Sequence, residues 1–199
     1  MKIHIGSGTV YLKGWVNVDV PAPFCYLASE RPDLVKKFQT TEEQGYYAKH
    51  KKKTLAKFRQ GAEITEYVCD RYGSFSFLPI KSSEGTEILA RQSFEHLSIT
   101  EARLALREMN RALAMSGTLR LDVPDADATL RLLKKTKDDF YIRHYLGPRK
   151  TEFGYHCMGY NRDTLRRLAN EYGFTLYGDE DNIHLYPAIT LVFNKIRDL

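Results

Sequence analysis

Gly6, Ser7 and Gly8 make a glycine turn directly after an apolar stretch, Ile3 to Ile5, and a second such stretch, Trp15 to Val18, runs into an acid, Asp19. Glycines let a ligand approach the backbone, and in an open α/β sheet a nucleotide-like ligand docks at the carboxyl end of the first strand. An acid closing the next strand can accept from two ribose hydroxyls. The same residues also fit a hairpin with a plain glycine turn, and alone they do not identify a nicotinamide cofactor or any other ligand.

Further residues able to do chemistry lie at similar positions. Asp70 follows the β-branched and aromatic segment Ile64 to Cys69, and Gln92-Ser93 follows the segment Thr86 to Arg91. His96 could serve as a base or hydrogen-bond donor, although a histidine at a strand–helix junction also commonly plays a structural part. Glu95 reads as a helix-start or scaffold acid, Asp125 as a helix cap, and Tyr155 and Tyr160 as pocket-lining or packing residues. The carboxylates show no metal-ligand spacing, so no metal is expected. A phosphate-binding Gly-x-x-x-x-Gly-Lys loop and a Gly-x-Ser-x-Gly elbow are also missing.

The elements that must position these residues alternate. The patterns predict strands over 3–5, 15–18, 64–69, 86–91, 118–123, 174–177 and 188–196. Helices are expected from Ser98, with the capping-box spacing Ser98 to Glu101 and a stop at Gly117, over 126–135, and from Asn161 to a stop at Gly173. The stretch 137–160 lacks clean periodicity. Such alternation predicts a mostly parallel sheet with helices on its faces, and right-handed crossovers bring Gly6 to Gly8, Asp19, Asp70 and Gln92-Ser93 to one edge.

A chain of 199 residues is expected to form one domain, 1–199, with a helical basic insertion at about 21–62. No run of about 18 apolar residues exists, and no signal-peptide core follows Met1, so no membrane span and a cytoplasmic location are expected. Cys25, Cys69 and Cys157 lie far apart and are expected to be reduced and mostly buried. The formal net charge is +5, with a basic run from Lys49 to Arg59 that could meet an anionic partner or simply face solvent.

Four motifs then carry a resemblance: IHIGSGTVYLKGWVNVD at the start, QSFEHL over 92–97, SGTLRLDVPD over 116–125, and YNRDTLRRLANEYGF over 160–174. In wording and order they resemble class I S-adenosylmethionine-dependent methyltransferases, in particular the short bacterial-type group that opens on strand, Gly-Cys-Gly, a glycine-tryptophan turn and Asn-x-Asp. The resemblance implies a Rossmann-like, mostly parallel seven-stranded sheet with helices on both faces and an antiparallel last strand. It implies S-adenosyl-L-methionine as cofactor, with Gly6, Ser7 and Gly8 against its aminoacyl part, Asp19 on the ribose, Asp70 and Arg71 flanking the adenine, and Gln92 and Ser93 facing the methionine part. His156, in the loop after the fifth strand, is the acceptor-side candidate, with His96 the second.

The departures are Ser7 for the usual cysteine, His4 where many members of the broader family carry an acid, and a Gly8–Trp15 link too short for the usual helix. The expected acceptor is a small molecule or glycan-type intermediate rather than nucleic acid. The alternatives are an inactive cofactor-binding protein, or a nucleic-acid methyltransferase using the basic insertion.

Overall fold

The computed structural model describes residues 1–42, 66–147 and 154–199; the Lys49–Arg59 run lies outside the described residues, and of the helical insertion expected over 21–62 only 21–42 are described, with one helix, Pro32–Phe38. In chain order the elements are β1 (Lys2–Ile5), β2 (Tyr11–Leu12), β3 (Val16–Asp19), β4 (Cys25–Leu27), α1 (Pro32–Phe38), β5 (Gln39–Thr40), β6 (Tyr67–Cys69), β7 (Arg71–Tyr72) and β8 (Gly85–Arg91). After a single 3-10 turn, Phe94–His96, come α2 (Ile99–Ala112), β9 (Leu113–Pro124), α3 (Ala126–Thr136), α4 (Asp139–Leu146), α5 (Arg162–Glu171), β10 (Phe174–Glu180) and β11 (Ala188–Lys195).

Seven of the strands form one sheet in the order β10-β11-β9-β8-β1-β3-β7. The pairs from β7 to β9 are parallel, and β11 runs antiparallel to both neighbours. Strand order reverses between β1 and β8. A crevice therefore opens there, at the carboxyl ends, where such sheets bind ligands.

Period-two alternation gives the sheet two different faces. Ile3, Ile5, Val18, Ile88, Ala90, Leu119, Leu121, Leu191 and Phe193 share a core with Ala102, Ala105, Leu106 and Met109 of α2 and Leu165, Leu168 and Ala169 of α5. The other face carries buried polar groups: His4, Asn17, Arg91, Arg120, Asp122 and Thr190. There Arg120 pairs with Glu42, with Glu87 at 3.1 Å and with Glu180 at 2.7 Å.

The capping box of α2 forms as expected, Ser98 accepting from the Glu101 amide while Glu101 accepts from the Ser98 amide. The helix stops at Ala112, however, and not at Gly117. The buried Lys195 ammonium donates to the carbonyls of Asn110 at 2.7 Å and Leu113 at 2.8 Å, holding the helix end and letting β9 begin at once. Gly117 instead permits close packing, since a Cβ there would lie 2.8 Å from the Ala114 carbonyl oxygen.

The third expected strand also differs. Tyr67–Cys69 pairs with Cys25–Leu27 in a separate two-stranded ribbon, and the edge of the main sheet is Arg71–Tyr72. Helix α4 was hidden in the aromatic stretch, although Asp138 caps it by accepting from the Phe140 amide and Gly147 ends it. The Gly8–Trp15 link holds only β2, which pairs with β5. Cys25 and Cys69 are free and buried with their sulfurs 3.6 Å apart, while Cys157 is exposed. Among the described residues, no helix is long and apolar enough to cross a membrane.

His4 gives a pH prediction. It is fully buried, its Nδ1 lies 3.0 Å from Asn17 Oδ1, and burial lowers its pKa to about 4. The unfolded chain takes up a proton near pH 6.5 that the fold refuses. Stability present above pH 6.5 is thus lost as pH falls toward 4, by up to about 1.4 kcal/mol per pH unit for this group. Denaturant unfolding of His4→Gln across that range should show a shallower acid decline than the parent; parallel declines would place the proton uptake elsewhere.

Candidate functional site

The glycine turn is built by the strands that flank it. The amides of Gly6 and Ser7 both donate to the Val18 carbonyl, at 3.0 and 3.4 Å, which folds the turn over the end of β3. Gly6 and Gly8 have φ of +64° and +50°, a region that favours glycine. A Cβ on Gly6 would lie 2.6 Å from Ser93 Cβ, so the turn after β1 presses on the residue that follows β8. The same test point lies 3.5 Å from the Phe75 ring, which packs edge-on against Phe94.

Asp19 closes this corner. Its Oδ2 accepts from the Gly8 amide at 2.7 Å and the Ser7 hydroxyl at 3.5 Å, and its Oδ1 accepts from the Val20 amide at 2.8 Å. Burial raises the pKa of this carboxyl, and the two amides partly oppose the rise. Gly6, Ser7, Gly8, Asp19 and Ser93 thus come together at the reversal point of the sheet.

Gln92 follows β8 in a left-handed conformation, φ +53°, and its side chain is engaged: Nε2 donates to Asp122 Oδ1 at 2.6 Å. The side chains of Asp70 and Arg71 are engaged by other groups. The Asp70 carboxylate accepts from the Asn17 amide at 2.7 Å, from Asn17 Nδ2 and from the Tyr11 hydroxyl, while Arg71 donates to the Pro79 carbonyl at 2.7 Å. Arg71 also lines an open groove with Met1, Leu78 and Arg111. None of Gly6, Ser7, Gly8, Asp19 and Ser93 lines that groove.

Past Ser93, the turn Phe94–His96 meets the loop after α4. The amides of Cys157 and Met158 donate to the Glu95 carbonyl at 2.9 and 3.2 Å, and His96 Nδ1 lies 2.8 Å from the Tyr155 carbonyl oxygen. These bonds bring His156 to His96, with ring centres 4.9 Å apart. The His144 ring of α4 is centred 6.3 Å from that of His156 and 4.4 Å from that of Tyr186, to which it is tilted. Burial, then the neighbouring His96 and His144, lowers the His156 pKa to about 3; burial also lowers those of His96 and His144.

Three participants were not legible as such in the sequence. Glu95 is buried, its pKa is raised well above the ordinary value by burial, and His156 Nε2 stands 3.8 Å from its Oε1. That separation is too long for a hydrogen bond. Asp122 is fully buried and gathers Gln92, Thr190, His184 and Arg91, and Phe75 backs the glycine turn. The Phe-Ser-Phe-Leu-Pro-Ile segment was a signal for Phe75; Glu95 lies in QSFEHL but reads there as a helix-start or scaffold acid, and nothing local marks Asp122.

Neither a protein-family profile nor a curated protein sequence matches this chain. Solved structures do. A methyltransferase of Methanosarcina mazei, described as S-adenosylmethionine-dependent, is 14% identical with a TM-score of 0.57, the match covering 99% of this chain and 92% of the other. An S-adenosylmethionine-dependent methyltransferase of Thermotoga maritima is 14% identical with a TM-score of 0.52, covering 98% and 81%. The magnesium protoporphyrin IX methyltransferase of Synechocystis, solved with bound S-adenosylhomocysteine, is 12% identical with a TM-score of 0.50, covering 98% and 74%. At such identities the likeness is one of fold: the chain has the Rossmann-like fold of class I methyltransferases.

Proposed function

We propose that this chain, built on the class I methyltransferase fold, transfers a methyl group from S-adenosylmethionine to an acceptor that approaches from the side of His96 and His156. The observation that carries the reading is the meeting of Gly6–Gly8, Asp19 and Ser93 across the reversal point between β1 and β8. In this reading the glycine backbone meets the aminoacyl part of the cofactor, Asp19 accepts from the ribose hydroxyls, and Gln92 and Ser93 border the methionine part. With Asp70 and Arg71 committed to protein partners, Phe75 is the side chain we assign to the cofactor's ring.

A sulfonium already activates its methyl group. The carbon–sulfur bond breaks with its electron pair staying on sulfur, a bond forms to the acceptor's nucleophilic atom, and the acceptor releases a proton. The protein chiefly aligns the two reactants and excludes water. The imidazole and aromatic lining around His96, His156 and Tyr155 suits a hydroxyl-bearing small molecule or glycan-type intermediate.

The test is calorimetry on Asp19→Ala. Hydrogen bonds to a charged group contribute about 1–3 kcal/mol, so affinity for S-adenosylmethionine should fall by that amount. An unaltered affinity would show that the ribose is held elsewhere.

A further inference from the structure

Glu95 is 1% exposed, and among the described residues no other residue hydrogen-bonds either of its carboxylate oxygens. Burying a carboxyl in this way is costly unless something else pairs with it. The Tyr160 hydroxyl is likewise buried without a partner among the described residues. Two imidazoles converge on the same spot: one donor atom from each of Glu95, His96 and His156 lies within 4.8 Å of the others.

The surroundings orient these donors. A carbonyl can only accept, so His96 Nδ1 carries the proton it shares with Tyr155, and Nε2 keeps a lone pair. His156 is held by its own amide, which donates to the Leu146 carbonyl at 3.2 Å. Gly147, at φ +83°, makes room for it, since a Cβ there would lie 2.8 Å from His156 N and Cδ2. Metal–ligand bonds of ~2.0–2.2 Å set tetrahedral donors ~3.3–3.6 Å apart, so an approach of up to about 1.5 Å between the donors closes the cluster.

We propose that Glu95, His96 and His156 bind one divalent transition-metal ion. Two imidazoles and a carboxylate suit zinc, cobalt, manganese or iron better than magnesium or calcium, which prefer all-oxygen sites. Three protein ligands leave coordination positions open. The role of the ion rests on the transfer reading above: an acceptor oxygen bound to it would lose its proton to solvent more readily, and so be a better nucleophile when the methyl group arrives. The binding itself does not depend on that reading.

The probe is cobalt(II) added to the full chain after chelator treatment, followed by visible absorption. One equivalent should give a saturable spectrum that zinc displaces. Glu95→Gln and His156→Ala should each weaken cobalt binding at least about 10-fold. Metal-free Glu95→Gln should unfold no earlier than the parent, because it relieves a buried unpaired carboxyl; an earlier unfolding would assign Glu95 a structural part instead. No saturable spectrum, or one that both variants leave intact, overturns the proposal. Calorimetry with S-adenosylmethionine on the same samples reports the cofactor reading separately, so failure of one is distinguished from failure of the other.

Discussion

Gly6→Ala should cost about 2–5 kcal/mol of folding stability and weaken S-adenosylmethionine binding at least about 10-fold. Two effects add. An alanine at φ +64° pays about 1–2 kcal/mol for the left-handed backbone, and its Cβ would stand 2.6 Å from Ser93 Cβ. Ser93 Cβ is fixed by its own backbone, so no rotamer relieves the clash, and either the turn or the end of β8 must move. Gly8→Ala supplies the contrast. Its φ is +50° but a Cβ there meets nothing within 4 Å, so only the backbone cost remains. Denaturant unfolding of the two variants should separate them by more than about 1 kcal/mol; equal losses would mean that the turn does not press on Ser93.

Asp122→Ala should cost about 3–5 kcal/mol, the effect of removing one partner from a buried ion pair. Its carboxylate is fully buried and accepts from Gln92 Nε2 at 2.6 Å and Thr190 Oγ1 at 2.8 Å; His184 Nε2 and Arg91 Nε stand at 3.0 and 3.1 Å. Burial pushes its pKa up, but the His184 bond and charge, the Arg91 charge and the Gln92 bond outweigh it and hold it below the ordinary value. Without Asp122 the buried Arg91 loses its 3.1 Å partner and Gln92 loses the bond that steadies its left-handed backbone. The substitution should therefore lower cofactor affinity as well as stability. A loss under about 1 kcal/mol would show that the charge of Arg91 is met by the other carboxylates on this face.

The fold was largely legible because most of its signals are local. Ser98 with Glu101, Asn161, and the apolar alternation of β1, β8, β9 and β11 each follow from neighbours in sequence. What escaped depends on distant partners. The end of α2 is set by Lys195, some eighty residues away, so Gly117 gave a false stop. Ile64 to Cys69 has strand composition, but whether such a segment joins the main sheet or a side ribbon depends on pairing with Cys25–Leu27, which composition does not encode.

The candidate site divides the same way. Gly6–Gly8, Asp19 and Ser93 lie at strand ends, and the crossover rule alone brings them together. Asp70 also ends a strand-like segment, yet Asn17 and Tyr11 engage its carboxylate. Glu95 resembled a helix-start acid because its neighbours in sequence are those of a helix start. Its burial against His156 arises from a loop sixty residues later.

The most direct test of the central claim is calorimetry of the unaltered chain with S-adenosylmethionine and S-adenosylhomocysteine. Saturable binding of both at one site, competing with each other and weakened by Asp19→Ala, is the predicted result. Absence of binding with either compound in the millimolar range would contradict it.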